Sequence, residues 1–498
     1  MIKKFLSVVL VLGGLSASAQ TFDEYRQSML DGFDVYKTSE SMKYSKYRDM
    51  LNAMYSEYMR QAWVEYDGEP SVHEPSEVPD VPPVVYPDLG VPDIPDSEVP
   101  YVDIIPLEFE DLPPVPLMPL PDVPQGEPGE AGPTVDIMFY GTACSFSFDL
   151  NDRAWLKDVS EESAAEMWLL MSGDEYDYLL FDCLRVRSEM NLCDWAFYML
   201  VDTLAEAVYG IGNEAVMLTA FIMSQSGYKL KIARSDAGSF HLLVCVTDGI
   251  YACPYFRING YDYYLTDGSD MTSLYVFDKD FPNENALRLS ISQSQKFAED
   301  ISESKTLMSR RYPDALVHVG INRNLLDFYE DYPHPYRNAG DMTSWTFYAT
   351  APLGAGVESG LLHPLSDLIS GKTQEESANI LLNFVQTAFE YMTDDEQWGY
   401  ERPFFPEETM YYPYSDCEDR AILYSRLVRE LMGLDVAFLQ YPGHLATAVR
   451  FDEDIRGDHV IIGGARYLVC DPTYINAPIG MQMPGLDYAN VKVVRISE

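Results

Sequence analysis

Three residues near the C-terminus have the types and the order of a nucleophilic catalytic set. Cys417 begins an amphipathic segment that ends at Gly433, His444 opens a predicted strand, and Asp471 follows the next-but-one strand. The first turn of a helix presents unpaired N–H groups and the positive end of the helix dipole, which favours a thiolate. A histidine can take the thiol proton, and a carboxylate can orient its ring. We therefore predict Cys417 as nucleophile, His444 as base and Asp471 as orienting group.

Each of these residues also fits an ordinary structural role. A cysteine often packs as a small apolar side chain, and an aspartate before a proline is a common turn former. The acids Asp416, Glu418 and Asp419 oppose thiolate formation, because negative charge beside a thiol raises its pKa. His459, next to Asp458, is a rival base, although it lies beyond the predicted hairpin turn. The prediction therefore depends on the ordered set and not on any single residue.

The residues around this set fall into blocks that resemble a known family. The blocks are SDCEDRAILYSRLVRELMGL, YPGHLATAVRF and GARYLVCDPTY, preceded by PFFPEETMYYPYSDCED. They resemble the signature blocks of the transglutaminase-like superfamily, cysteine enzymes related in architecture to papain-like proteases. The resemblance covers residues 375–480 and implies the roles given above to Cys417, His444 and Asp471. It also implies a secreted bacterial protein, and an oxyanion hole that uses the backbone N–H of Cys417. Three aromatic side chains are equal candidates to complete that hole: Trp398, Tyr412 and Tyr414.

The acids beside Cys417 raise the question of a metal. Some transglutaminase-like proteases that cleave adhesins bind calcium beside the nucleophile, through acids like Asp416 and Glu418. Two carboxylates are few for an ion that takes six to eight oxygen ligands, so the alternative is a pair of solvated acids at a helix start. The remaining histidines have no metal-ligand spacing, and no phosphate-binding glycine loop is present. We therefore predict no cofactor and assign no metal ligand.

An internal repeat precedes the Cys417 region. The segments 213–233 and 419–439 both contain a predicted helix that ends at a glycine twelve residues after an alanine. Each is followed by a strand with a histidine near its start, His241 or His444, and later by an aspartate, Asp267 or Asp471. A gap-free overlay places Ile211 opposite Cys417. The sequence therefore predicts two related domains, of which the first lacks the nucleophile and serves binding or structure.

Helical and strand patterns predict an α+β fold that spans residue 135 to the end. We expect a degenerate transglutaminase-like domain at 135–290, a connecting β-rich region at 291–355 that includes a strand at 343–349, and the catalytic domain at 356–498. Cys245 and Cys253 flank a turn and are the candidates for a disulfide, although the strand register does not place them opposite each other.

The N-terminal part of the chain has a different character. Residues 1–19 have the pattern of a signal peptide cleaved after Ala19, so we expect a periplasmic or secreted protein with no membrane span. Residues 20–66 are predicted helical, with an aromatic face that docks on this chain or on a protein partner. Residues 67–134 form an acidic, proline-rich linker: from 68 they hold 18 of the 32 prolines, 15 acids and no Lys or Arg. This segment is either a free linker or an arm that wraps a domain surface.

Charge and composition limit the function. The chain has 34 Lys and Arg against 79 Asp and Glu, a formal net charge of -45, which excludes a nucleic-acid-binding surface of the usual basic kind. The combined prediction is an extracytoplasmic cysteine enzyme that hydrolyses a peptide or isopeptide amide in a protein or peptide substrate. The alternative is a binding or scaffold protein that retains the fold without catalysis.

Overall fold

The computed structural model describes residues 44–73, 80–87, 94–105, 132–281, 284–337 and 344–496. The predicted signal peptide at 1–19 lies outside these residues, as does the N-terminal segment before residue 44. Within the described ranges, no helix has the length and apolar character needed to cross a bilayer.

In its described residues, the N-terminal half combines five α-helices with a hairpin and a sheet. The helices are α1 (Tyr44–Met59), α2 (Glu161–Met171), α3 (Asp174–Glu189), α4 (Asp194–Tyr209) and α5 (Asn213–Gln225). The strands are β1 (Val64–Asp67), β2 (Asp103–Ile105), β3 (Thr134–Phe139), β4 (Thr142–Ser147), β5 (Leu230–Arg234), β6 (Phe240–Cys245), β7 (Gly249–Ile250), β8 (Tyr255–Ile258), β9 (Tyr261–Leu265) and β10 (Ser273–Val276).

The C-terminal half also combines helices with a sheet and short strand pairs. Its helices are α6 (Arg323–Glu330), α7 (Trp345–Thr350), α8 (Ala355–Val357), α9 (His363–Ile369), α10 (Gln374–Ala388), α11 (Asp394–Gln397), α12 (Pro406–Tyr411) and α13 (Cys417–Met432). Its strands are β11 (Lys305–Met308), β12 (Leu316–Val319), β13 (Pro335–Tyr336), β14 (Glu390–Tyr391), β15 (Tyr414–Ser415), β16 (Val436–Tyr441), β17 (His444–Val449), β18 (His459–Ile462), β19 (Ala465–Cys470) and β20 (Lys492–Arg495).

Two six-stranded sheets share one strand order. The first sheet runs β8-β9-β6-β5-β10-β1, and the second sheet runs β18-β19-β17-β16-β20-β2. Every neighbouring pair is antiparallel except β2 and β20, which are parallel. In each half a helix, α5 or α13, directly precedes the two central strands. The α+β class predicted from the sequence is confirmed, and the two sheets have the same strand order.

The helices pack against one face of each sheet. Buried side chains of α2, α4, α5, α10 and α13 form one apolar core together with residues such as Leu242 of β6 and Leu445 of β17. The opposite faces of the two sheets form two smaller apolar cores. The helix that carries Cys417 therefore lies against the strand that begins with His444.

Helix α1 docks on its own chain. Leu51, Tyr55 and Met59 are buried on its inner face, and Met54 and Tyr58 are half-buried beside them. The prediction of helix as far as residue 66 is wrong beyond Met59. Val64–Asp67 form β1 and pair with β10 at the edge of the first sheet instead, where only Tyr66 is partly buried.

The proline-rich segment is an arm and not a free linker in its described parts. We use the term "arm" for residues 80–87 and 94–105. Val99 is 3% exposed, and Val81, Val84, Tyr86 and Tyr101 pack on the outer face of the second sheet. Strand β2 adds to the edge of that sheet, the position in which proline-rich sequence is tolerated.

The connecting region at 291–355 is not β-rich as predicted. It contains the β11–β12 hairpin and the short β13, but also helices α6 and α7. The strand predicted at 343–349 is wrong in its described residues, since Trp345–Thr350 is helical. Arg426 and Arg429 of α13 donate to the carbonyls of Thr350 and Ala349, so packing against α13 overrides the strand propensity of the aromatic residues.

Candidate functional site

Cys417 is the first residue of α13, and its position is fixed by a reciprocal cap. The carboxylate of Asp416 accepts from the N–H of Asp419, while the carboxylate of Asp419 accepts from the N–H of Asp416. Arg420 secures the preceding strand, because it donates to the Ser415 hydroxyl and to the carbonyl of Phe389. The cap and the arginine together hold the thiol at the helix start, where unpaired N–H groups are available to an oxyanion.

His444 and Asp471 form a buried hydrogen-bonded pair. They lie at the ends of the adjacent strands β17 and β19, and the Nε2 atom of His444 is 2.9 Å from Oδ2 of Asp471. The second oxygen of Asp471 accepts from the N–H groups of Thr473 and Tyr474, which orients the carboxylate. The predicted contact between His444 and Asp471 is confirmed. It leaves the buried Nδ1 of His444 with no hydrogen-bond partner among the described residues.

The thiol of Cys417 makes a different bond from the predicted one. Its Sγ atom donates to Oε2 of Glu418 at 3.0 Å, and no hydrogen bond joins it to His444 in the described part of the chain. The adjacent carboxylate is a strong acceptor, so the resting thiol proton goes there. The structure thus brings His444 and Asp471 together and places the helix of Cys417 against β17, with the thiol turned toward the acids.

The electrostatics around Cys417 oppose its ionisation. Burial raises the pKa of the thiol well above its ordinary value, and the charges of Glu418, Asp416 and Asp80 raise it further, as does the hydrogen bond to Glu418. The helix dipole acts in the other direction. Burial first, and then the nearby acids, therefore oppose the formation of a thiolate at Cys417.

A group of carboxyl groups, which we call the acid cluster, surrounds the start of α13. Its members are the buried Asp394, Asp416, Glu418 and Asp419 and the half-buried Glu401. Oxygens of Asp394, Asp416 and Asp419 lie within 4.8 Å of one another, as do those of Asp394, Glu401 and Glu418. Asp416 and Glu418 are 1% and 5% exposed, so the alternative of solvated acids at a helix start is wrong.

The acid cluster holds protons that isolated carboxyl groups would lose. Burial, followed by repulsion from Asp416 and Glu401, raises the pKa of Asp394 to about 10. Burial also raises the pKa of Asp416 to about 7, although a hydrogen bond with Glu418 lowers it. An all-oxygen set of this kind has the donor chemistry of a calcium site. These five residues are therefore the ones that could hold a divalent cation.

The structure separates the three aromatic candidates for the oxyanion hole. Trp398 and Tyr412 pack around the guanidinium of Arg402, 4.3 and 5.3 Å from its central carbon, and Tyr414 lies in β15. Tyr391 was not predicted, yet it pairs with Ser415 across β14 and β15. Burial and then the charge of Cys417 raise the pKa of the Tyr391 hydroxyl. No spacing in the sequence connects residue 391 with residue 417.

The rival base His459 faces another part of the protein. Its Nδ1 bonds to the carbonyl of Gly457 and lies 3.8 Å from Asp96 of the arm, and its backbone pairs with the arm on both sides of Glu98. It therefore fastens the arm. The candidate disulfide is also not formed: Cys245, Cys253 and the other five cysteines are all free thiols.

A second histidine–aspartate pair lies on the first sheet. His241 of β6 and Asp267 after β9 are 2.7 Å apart, through Nδ1 of the ring. Although burial acts in the other direction, hydrogen bonds from His241 and Ser269 lower the pKa of Asp267 to about 2. Ile211, the residue opposite Cys417 in the overlay, is 91% exposed before α5. The first sheet therefore has a base and an orienting acid without a thiol at the corresponding helix start.

Comparison of the chain with protein-family models, with curated proteins and with solved structures found no match. The functional interpretation therefore depends on the geometry of the site and on the sequence blocks that resemble the transglutaminase-like superfamily.

Proposed function

We propose that the protein is an extracytoplasmic cysteine enzyme of transglutaminase-like type that hydrolyses a peptide or isopeptide amide. The observation that carries the proposal is the bonded His444–Asp471 pair, in a sheet whose strand β17 contacts the helix that begins with Cys417. In a set of this kind a thiol, a histidine and an aspartate have the roles of nucleophile, base and orienting acid.

In the proposed mechanism, His444 takes the proton of Cys417 and the sulfur attacks the amide carbonyl. The new C–S bond forms as the C–N bond breaks, and the amine leaves with the proton from His444. Water then attacks the thioester, His444 again accepts a proton, and the carboxylic acid and the free thiol are released. The N–H of Cys417 stabilises the oxyanion of each tetrahedral intermediate. Hydrolysis is favoured over amine transfer because it requires no second substrate site.

The resemblance adds a calcium ion to this proposal, and the donor set of the acid cluster fits one. Asp394, Glu401, Asp416, Glu418 and Asp419 would hold it. A bound cation would offset the negative charge that raises the pKa of the thiol. The remaining chemistry belongs to the protein: the proposed reaction requires the Cys417 thiol to leave Glu418 and to give its proton to Nδ1 of His444, which has no hydrogen-bond partner among the described residues.

The common strand order of the two sheets supports the proposal that the first domain is a degenerate copy of the same fold. Its role is then structural or binding, since no thiol starts α5. The second candidate function, a non-catalytic binding or scaffold protein, is favoured by the raised pKa of Cys417 and by its bond to Glu418.

Site-specific alkylation separates the two candidates. Iodoacetamide labelling followed by peptide mass spectrometry reports each of the seven cysteines. If the protein is a cysteine enzyme, Cys417 should react near neutral pH, and its alkylation rate should fall when His444 is substituted. If the protein is a scaffold, Cys417 should react no faster than the buried Cys470, with or without calcium.

A further inference from the structure

The first part of the arm lies along the proposed catalytic residues. The backbone N–H of Val81 donates to the carbonyl of Gly443 at 2.8 Å, and Gly443 is the residue immediately before His444. Further along, Ile475 donates to the carbonyl of Val84 and accepts from the N–H of Tyr86, both at 2.8 Å. Ile475 belongs to the loop that follows Asp471. Residues 81–86 therefore pass beside the elements that carry both members of the His444–Asp471 pair.

Two elements of the site are covered by this segment. Residues 81–86 extend from the turn before the base, His444, to the loop after the orienting acid, Asp471. A polypeptide substrate of the proposed reaction has to pass the same two elements.

The arm is held there by backbone bonds of the kind that an extended peptide makes with a sheet. Pro82, Pro83 and Pro87 favour an extended backbone and cannot donate, so recognition uses the N–H and C=O groups of the residues between them. Val81 and Val84 are half-buried, whereas Val85 is 63% exposed. Because the bonds come from the backbone, another extended polypeptide can form them equally well.

The two parts of the arm are fastened to different degrees. Residues 94–105 contain the buried Val99 and strand β2, and Asp96 pairs with Arg466 at 2.5 Å. Residues 80–87 have three backbone bonds and half-exposed side chains. The first part can therefore leave the second sheet while the second part remains anchored.

We propose that residues 80–87 occupy the groove in which the substrate binds, and that the substrate is an extended polypeptide that displaces them. An apolar residue with a free N–H opposite Gly443 is the recognition element. This inference rests on the proposed function, since it names the substrate class of the Cys417 site. In the resting enzyme, residues 80–87 then block the substrate groove of their own chain.

Substitution within the arm tests the inference on the full chain. Val81→Pro removes the N–H that bonds to Gly443, whereas the matched control Val85→Pro leaves both bonds to Ile475 in place, since they use Val84 and Tyr86. We expect Val81→Pro to accelerate Cys417 alkylation by about two- to tenfold, as for the loss of one backbone hydrogen bond. Val85→Pro should react like the unmodified chain, and circular dichroism verifies that both variants are folded.

A synthetic peptide of residues 80–87 provides the second arm of the test. Added to the Val81→Pro variant, it should restore slow alkylation, whereas the same peptide N-methylated at the position of Val81 should not. Equal alkylation rates in the two proline variants, together with dependence on His444, would overturn the inference and leave the proposed function intact. If the alkylation rate of Cys417 is independent of His444 in every variant, the proposed function is contradicted, and so is the inference that rests on it.

Discussion

The first and second sheets carry the same pair of residues in two different settings. His241 and His444 each begin or nearly begin a central strand, and each bonds to an aspartate after a neighbouring strand. The pair on the second sheet is fully enclosed, with side chains 0% and 1% exposed, whereas the carboxylate of Asp267 is 40% exposed. The ring nitrogens are also exchanged, with Nδ1 bonded in the first pair and Nε2 in the second. The strand arrangement alone therefore specifies the pair but not its environment.

The helix starts account for the difference in chemistry. Asn213 begins α5 and accepts from the N–H of Phe240, which ties that helix directly to β6. At the second sheet, Cys417 occupies the first position of α13, inside the acid cluster. A histidine–aspartate pair can thus persist as a structural contact. The proposed reaction requires in addition a thiol and a means to offset the carboxylates beside it.

The largest expected effect concerns the acid cluster. We expect calcium to stabilise the chain by about 2.7 kcal/mol at a hundredfold excess over its dissociation constant, because only the folded state assembles the five carboxylates. Asp394→Asn should abolish the increase in melting temperature. Glu284→Gln, which changes a buried carboxylate of the first domain, should retain it. An equal calcium response in Asp394→Asn and in the unmodified chain would place the ion elsewhere.

The next largest effect concerns the aspartates of the two histidine–aspartate pairs, Asp471 and Asp267. Asp471→Asn should slow the alkylation of Cys417 by about tenfold, because His444 then loses the acceptor that orients its ring. Asp267→Asn is the matched change on the first sheet and should leave the Cys417 rate unaltered. Site-specific mass spectrometry of the labelled peptide gives both rates. If the two variants react alike, the pair on the second sheet has no special role.

The smallest effect is a pH dependence that belongs to the first domain. Burial, and to a lesser degree the charge of Asp280, raises the pKa of Glu284 to about 8 although Lys231 acts in the other direction. The folded state therefore holds a proton that the unfolded chain has lost, and the free energy of unfolding decreases as pH rises from the ordinary carboxyl range to about 8. Glu284→Gln cannot ionise and should therefore be more stable than the unmodified chain above this range.

Urea unfolding at two pH values, without divalent cations, measures this difference. Glu284→Gln and the unmodified chain should have nearly equal stability near the ordinary carboxyl pKa and separate at alkaline pH. The exposed Asp236→Asn is the control and should show no such separation. A constant difference at both pH values would mean that Glu284 does not change its ionisation in this range.

The sequence alone predicts those parts of the site that local sequence patterns determine. The cap at Asp416, the glycine stop at Gly433 and the turn before His444 define α13, β16 and β17. The contact of His444 with Asp471 also requires β19 to lie between β17 and β18, an order that successive hairpins alone do not give.

Other features of the site depend on contacts between segments that are distant in sequence. Asp394, at the start of α11, and Glu401, in the loop before α12, both belong to the acid cluster, and no periodicity marks them. The bond from Cys417 to Glu418 is a side-chain rotamer choice, which residue order does not specify. The course of the arm past Gly443 could not be predicted because proline-rich sequence carries no strand pattern. Helix α7 formed against local propensity through its packing on α13.

The central claim is that His444 activates Cys417, and its most direct test is the alkylation rate of Cys417 near neutral pH in three forms of the chain. With calcium in excess, His444→Ala should slow the reaction by at least about tenfold, since a paired imidazole greatly increases the thiolate fraction. His241→Ala, the same change on the first sheet, should leave the rate within about twofold of the unmodified chain, because a distant site does not couple. Equal rates in His444→Ala and His241→Ala would contradict the account.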